Sequence, residues 1–308
     1  MGKTMGNKVE KKSEKKDDTI LKKALKRTPE EVLKEKEYID VGERHWWHWW
    51  TENWRWMKFG VMGLAIVWLL GVNLGWWRED AGVSQIRVSA MTPGVEVPDL
   101  PMRVLDGSKK LVALTFDDGP NESTTQRLLD ILKEKHVYAT FFVLGIQAER
   151  YPDIVKREIR EGHEVGSHTM RHKVLSTLPA NAIKDDTNDM KRVMTGILGY
   201  NTKITRPPYG AINDTVRGSL GAPLIIWSVD TEDWKSKDAG AVRAEAERAT
   251  FDGAIVLMHD IYPSTVDAVG GIIDSLRSQD YEFVTVSEMA KARKVKMQNG
   301  EVYGAFKR

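Results

Sequence analysis

From residue 109 onward, short apolar runs alternate with segments whose apolar residues recur every three or four positions. The strand-like runs fall at 111 to 116, 139 to 144, 164 to 167, 203 to 205, 224 to 229, 254 to 258 and 282 to 286. Helix-like segments lie between and after them, around 124 to 135, 152 to 161, 181 to 197, 214 to 220, 239 to 250, 264 to 277 and 287 to 294. Alternation of this kind predicts an α/β fold with a parallel sheet and crossover helices. About seven strands in under 200 residues suit a distorted or incomplete (β/α) barrel better than a full eight-unit one.

The first 108 residues follow other rules. Residues 1 to 27 are Lys-rich with few large apolar side chains, a composition that favours disorder or transient helix. Thr28-Pro29-Glu30-Glu31 reads as a helix start, with Thr28 as cap and Pro29 in the first turn. From Phe59 to Trp77 no residue is charged. As a helix this run is about 28 Å long, close to the hydrocarbon thickness of a bilayer. Nine of the eleven tryptophans lie between Trp46 and Trp77, flanking the run as interfacial belts do. These features predict a transmembrane helix at 59–77, with the bilayer as a partner. A cleaved signal peptide fits less well, because its charged leader would be 58 residues long.

Lys and Arg outnumber acids in residues 1 to 58, which predicts a cytoplasmic tail and Trp-rich juxtamembrane segment there and an extracytoplasmic C-terminal part. Gly71 and Gly75 form a small-xxx-small pair suited to weak helix dimerisation. Residues 78–108 carry Pro93, Pro98 and Pro101 without a sustained period and read as a linker. The domain is then 109–294, with 295–308 left as a tail. A net charge of +2 gives no bias toward nucleic acid, and the absence of cysteine excludes thiol catalysis and a Cys-based zinc site.

Candidate chemistry gathers where the strand-like runs stop. Thr115-Phe116-Asp117-Asp118-Gly119-Pro120 ends the first, and the carboxyl edge of a parallel sheet is where ligands bind. Taken alone, Asp-Gly-Pro is also an ordinary turn. Gly166-Ser167-His168-Thr169-Met170-Arg171-His172 follows the third run. Four residues apart on a helical turn, two imidazoles share a face and can grip one cation. With Asp118 they make a two-His, one-carboxylate set suited to zinc, cobalt, manganese or ferrous iron. Arg206-Pro207-Pro208-Tyr209-Gly210 follows the fourth run as a rigid loop. Such a loop can hold a guanidinium against a carboxylate or aim an N–H at a developing oxyanion. Asp230 and Asp233-Trp234 end the fifth run, and Leu257-Met258-His259-Asp260 ends the sixth.

These five motifs, in this order, resemble those of the NodB-homology polysaccharide deacetylases (carbohydrate esterase family 4) over roughly residues 109 to 290. The resemblance implies a distorted (β/α) barrel that uses a divalent metal, zinc first, with cobalt or manganese also suitable. Its reaction hydrolyses N-acetyl, sometimes O-acetyl, groups on polysaccharide. It further implies Asp118, His168 and His172 as metal ligands, Asp117 as general base and Arg206 as its positioner. The Tyr209 N–H would help hold the oxyanion, and His259 would be the general acid with Asp230 tuning it. Trp234 and Leu257 would line the acetyl pocket. Together with the tether, these implications favour N-acetylglucosamine of peptidoglycan as substrate. N-acetylmuramic acid, poly-N-acetylglucosamine, chitin oligomers and O-acetyl esters are the alternatives within the family. A ferrous oxygenase shares the facial set but requires neither the paired Asp117 nor His259, and a silent glycan-binding domain requires none of these groups.

Overall fold

The computed structural model describes residues 103–308. The expected tail, transmembrane run and Gly71–Gly75 pair, and all of the linker before Arg103, lie outside them. Among the described residues no helix is long and apolar enough to cross a membrane.

The elements in order are β1 (Lys110–Asp117), α1 (Thr124–Glu134), β2 (Thr140–Val143), α2 (Gly145–Arg150), α3 (Pro152–Arg160), β3 (Glu164–Ser167), α4 (Ala180–Leu198) and α5 (Asp214–Leu220). Then follow β4 (Leu224–Ile225), β5 (Val229–Asp230), α6 (Asp233–Ser236), α7 (Ala239–Ala249), β6 (Ala254–His259), α8 (Pro263–Ser278), β7 (Tyr281–Phe283), α9 (Val286–Ala292) and β8 (Val302–Tyr303). All named strand pairs are parallel, in the order β3-β2-β1-β6-β5, with β7 beside the first half of β1 and β8 beside β4. The predicted α/β class with a parallel sheet is therefore what forms. At 203 to 205 no strand is laid down. Thr205 instead makes single bridges to Ser167 and Leu224, continuing the sheet from β3 to β4.

Period-two alternation divides β1 between two layers. Val112, Leu114 and Phe116 pack with Leu128, Leu129 and Leu132 of α1 and Ile272, Ile273 and Leu276 of α8. Leu111 and Ala113 face the opposite way, into a second cluster with Ile225, Trp227, Ile255 and Leu257. Each fully buried Leu or Ile side chain in these layers contributes about 1.5–3 kcal/mol relative to exposure.

The segment 295–308, expected to be a tail outside the domain, packs into it. β8 pairs with β4, Ala305 bridges Ala254, and Phe306 is buried. Gly253 permits this approach: its φ is +92°, and a Cβ there would stand 2.1 Å from the Phe306 carbonyl oxygen. The domain likewise begins earlier than residue 109, since the Arg103 guanidinium meets Glu288 at 2.8 Å and the Phe283 carbonyl at 3.1 Å.

Candidate active site

The parity that sends Leu111 and Ala113 inward also sends Thr115 and Asp117 inward. On β6 the same rule places Ile255, Leu257 and His259 on one face, and the register sets Asp117 directly beside His259. Two ionisable groups from distant parts of the chain thus meet by strand pairing alone.

Asp117 is held by Arg206, whose Nη1 donates to its Oδ1 at 2.7 Å and to Thr115 Oγ1 at 2.8 Å. Arg206 is fully buried, and its Nε and Nη2 donate to the Ile225 and Ile226 carbonyls at 3.3 and 3.4 Å. The guanidinium plane lies 4.1 Å from the Phe142 ring centroid. Burial pulls its pKa down, and the Asp117 charge opposes that. With four of its five N–H donors engaged, the pair is a rigid acceptor geometry rather than a loose surface contact.

Asp118 steps out of the strand with φ +75°. Its neighbour Gly119 is needed because a Cβ there would fall 2.1 Å from Asp260 Oδ2. The expected helical turn at 168–172 does not form. Thr169 and His172 take φ values of +72° and +52°, and that coil, rather than i,i+4 spacing, turns both imidazoles toward Asp118. His168 Nε2 and His172 Nε2 stand 3.4 and 3.3 Å from Asp118 Oδ1.

Candidate ligand atoms of Asp118, His168 and His172 all lie within 4.8 Å of one another. The buried Asp118 Oδ1 has no hydrogen-bond partner. His168 Nδ1 lies 2.8 Å from the Arg206 carbonyl, so an N–H donated there leaves the Nε2 lone pair facing the cluster. An oxygen without a donor, beside two imidazole nitrogens with one already oriented, fits a divalent cation. Burial alone would raise the Asp118 carboxyl, yet His172, His259 and His168 hold it below the usual carboxylate range. Burial pushes His172 down to about 4 against the pull of Asp118, so the ring is neutral and its lone pair available above that pH.

His259 lies on the other side, its Nε2 4.0 Å from Asp118 Oδ2. Asp230 was expected beside it, but the partner is Asp233. Asp233 Oδ1 lies 2.8 Å from His259 Nδ1, and Asp233 Oδ2 accepts from the His259 backbone N–H and the Thr265 hydroxyl, both at 2.7 Å. The chain reverses at Glu232, φ +50°, and so carries Asp233 back under the end of β6. Asp230 stays at the end of β5, where its Oδ1 accepts from the Glu232 N–H. Burial would lower the His259 pKa, but the Asp233 charge and hydrogen bond outweigh it and raise it to about 10.

Tyr209, in a single turn at Pro208–Gly210, has φ +62° and packs its ring 4.7 Å from that of His172. Trp234 is the second residue of α6, and Leu257 is buried on β6, two residues before His259. Sequence reasoning placed Thr115 and Asp260 in strand-end motifs without giving either a role, and missed Thr265. Asp260 is 1% exposed, accepts from the Thr125 hydroxyl and carries a pKa that burial raises to about 7. Thr125 Oγ1 in turn accepts from the Asn121 N–H at 2.7 Å, joining the end of β6 to the turn after Asp118. Thr115 and Asp260 both stand at strand ends, and Thr115 shares the parity of Asp117.

Comparison with known proteins points to the polysaccharide deacetylases. The family model described as polysaccharide deacetylase matches residues 105–222. A peptidoglycan-N-acetylglucosamine deacetylase, PgdA of Listeria monocytogenes, is 42% identical over 206 residues, covering 67% of this chain and 44% of that protein. A peptidoglycan-N-acetylglucosamine deacetylase of Bacillus cereus is 35% identical over 192 residues, covering 60% of this chain and 90% of that one. Among solved structures, the peptidoglycan deacetylase PdaC from Bacillus subtilis superposes with a TM-score of 0.60 at 40% identity, covering 62% of this chain and 94% of that chain. The chain spans less than half the length of the Listeria relative.

Proposed function

Because this chain belongs to the polysaccharide deacetylase family, we propose that it removes N-acetyl groups from cell-wall glycan, with N-acetylglucosamine of peptidoglycan as its first substrate. Water adds to the amide carbonyl, the C–N bond breaks, and acetate and a free amino sugar leave. The observation that carries this reading is the convergence on one sheet edge of a buried Asp–Arg pair, a two-His, one-Asp cluster and a His–Asp pair.

In this mechanism Asp118, His168 and His172 would hold a divalent cation, zinc first, with cobalt and manganese also suited to the donor set. When bound, it supplies Lewis-acid polarisation of the carbonyl and a more acidic water. Asp117 takes the proton of the attacking water, and Arg206 keeps its Oδ1 occupied so that Oδ2 faces the reaction. The Tyr209 N–H helps hold the oxyanion, as its left-handed turn suits. Trp234 and Leu257 wall the acetyl methyl. His259, held protonated by Asp233, gives its Nε2 proton to the departing nitrogen. That protonated imidazole favours amides over esters, since an amine is the poorer leaving group without a proton.

The proposal includes the tether. Residues 59–77 anchor the domain in the membrane, with the N-terminus cytoplasmic and helix pairing through Gly71 and Gly75; the uncharged run and its tryptophan flanks support this.

The test is acetate release from peptidoglycan and from chitin oligomers by the full chain. Asp117→Asn and His168→Ala should each lower kcat by roughly 10²–10⁴. A chelator should abolish release and added zinc or cobalt restore it. Undiminished release by both variants would overturn the assignment.

A further inference from the structure

The rim beside His259 carries two side chains that the hydrolysis as derived does not use. Tyr262 lies against the His259 ring with 5.7 Å between centroids, and Lys237 Nζ stands 5.7 Å from the centroid of Tyr262. Each step outward from the proton donor is thus under 6 Å.

Both backbones are held at element ends. Tyr262 caps α8 just ahead of Pro263, and burial, reinforced by Asp118 and Asp233, keeps it a neutral phenol. Lys237 closes α6 in the left-handed region, φ +48°, where glycine or asparagine is usual. Its N–H donates to the carbonyl of Asp233, the residue that orients His259. Glu232, at the other end of α6, is left-handed too.

The two lysines of this turn differ. Lys235 is paired with Glu232 at 3.1 Å, whereas no carboxylate lies within ion-pair reach of the exposed Lys237 among the described residues. An uncompensated ammonium beside a half-buried aromatic ring matches a ligand with an apolar sugar face next to a carboxylate. We propose that Tyr262 and Lys237 form a subsite for the carboxylate-bearing neighbour of the reacting sugar, the ring against a pyranose face and the ammonium on a lactyl or peptide carboxylate. This rests on the deacetylase reading and narrows it: the chain takes an anionic glycan in preference to a neutral chitin oligomer of the same length.

The test is the ratio of kcat/KM for acetate release from muramic-acid-containing glycan fragments to that from chitin oligomers of equal length. It is measured for the full chain, Lys237→Ala, Lys237→Glu and Lys237→Arg, at ionic strengths of about 0.01 and 1 M, where screening lengths are about 30 and 3 Å. Lys237→Ala should lower the ratio about three- to fivefold at low salt, through KM for the anionic substrate. Lys237→Glu should lower it further, Lys237→Arg should retain most of it, and salt should erase the differences. A ratio unchanged by Lys237→Ala and Lys237→Glu would overturn the subsite and leave the deacetylase assignment standing. Absence of acetate release from both glycans by the unsubstituted protein would overturn both.

Discussion

Asp233 and Glu158 are both fully buried, and they could hardly be served more differently. Asp233, under the end of β6, accepts from the His259 backbone N–H, the Thr265 hydroxyl and the Trp234 N–H and faces His259 Nδ1. Glu158, on the inner side of α3, has no hydrogen-bond partner for either oxygen. Burial, with Asp260 adding to it, drives the Glu158 carboxyl well above its ordinary pKa. Burial therefore does not by itself make a functional acid. Convergent donors fix one buried carboxylate against its neighbour, and where they are missing burial drives the carboxyl toward its neutral form.

Arg206→Met attacks the best-served part of this contrast and should have the largest effect. Leaving Asp117 buried without its partner costs about 3–5 kcal/mol of stability, read by denaturant unfolding, along with loss of acetate release. Asp233→Asn should lower kcat on the order of a thousandfold. It should also move the alkaline limb of the pH profile down from about 10 toward or below the ordinary histidine value of 6.5. The sign follows from linkage: a raised histidine pKa contributes stability that is full below 6.5 and lost as pH rises through about 10, so the variant should lose stability mainly below that window. Asp230→Asn sharpens the comparison from the other side, with a kcat effect of about tenfold or less and an unmoved alkaline limb. Glu158→Met should be the mildest and opposite in sign. It should stabilise the fold by about 1–2 kcal/mol at neutral pH, because an apolar side chain of similar volume replaces an unpartnered polar one. The gain should grow as pH rises, since a raised carboxyl pKa gives stability present below 4.5 that is lost on titration. Thermal unfolding of Glu158→Met at several pH values measures this.

The sequence was most legible where one local rule governs. The predicted helices at 124 to 135, 214 to 220 and 264 to 277 match α1, α5 and α8 to within one residue at each end, because apolar spacing and flanking Gly, Pro or Asn act within a turn or two. Five groups expected at strand ends (Asp117, Asp118, His168, Arg206 and His259) do meet, because a parallel sheet brings all its carboxyl edges to one side. What sequence spacing could not reveal was set by loop path. The turn at Glu232 exchanges Asp230 for Asp233 at His259, and left-handed residues at 169 and 172 replace the expected helical turn. Thr205 does by single bridges what a strand was expected to do. Segment 295–308 lacks periodicity, and only its packing on Gly253, β4 and β6 makes it part of the domain.

The pairing of Asp117 with His259 also has a temporal side. β1 is hydrogen-bonded to β2 just downstream but also to β6 and β7, whose residues follow it by more than 130 positions. At ribosomal speeds of about 5–20 residues per second, β1 waits several to a few tens of seconds before its far neighbours exist. During that interval the run Leu111–Phe116 is an apolar strand with one bare edge, the kind of template on which nascent chains stick to one another. The register that sets Asp117 beside His259 thus also leaves one edge of β1 unpaired until β6 has been made.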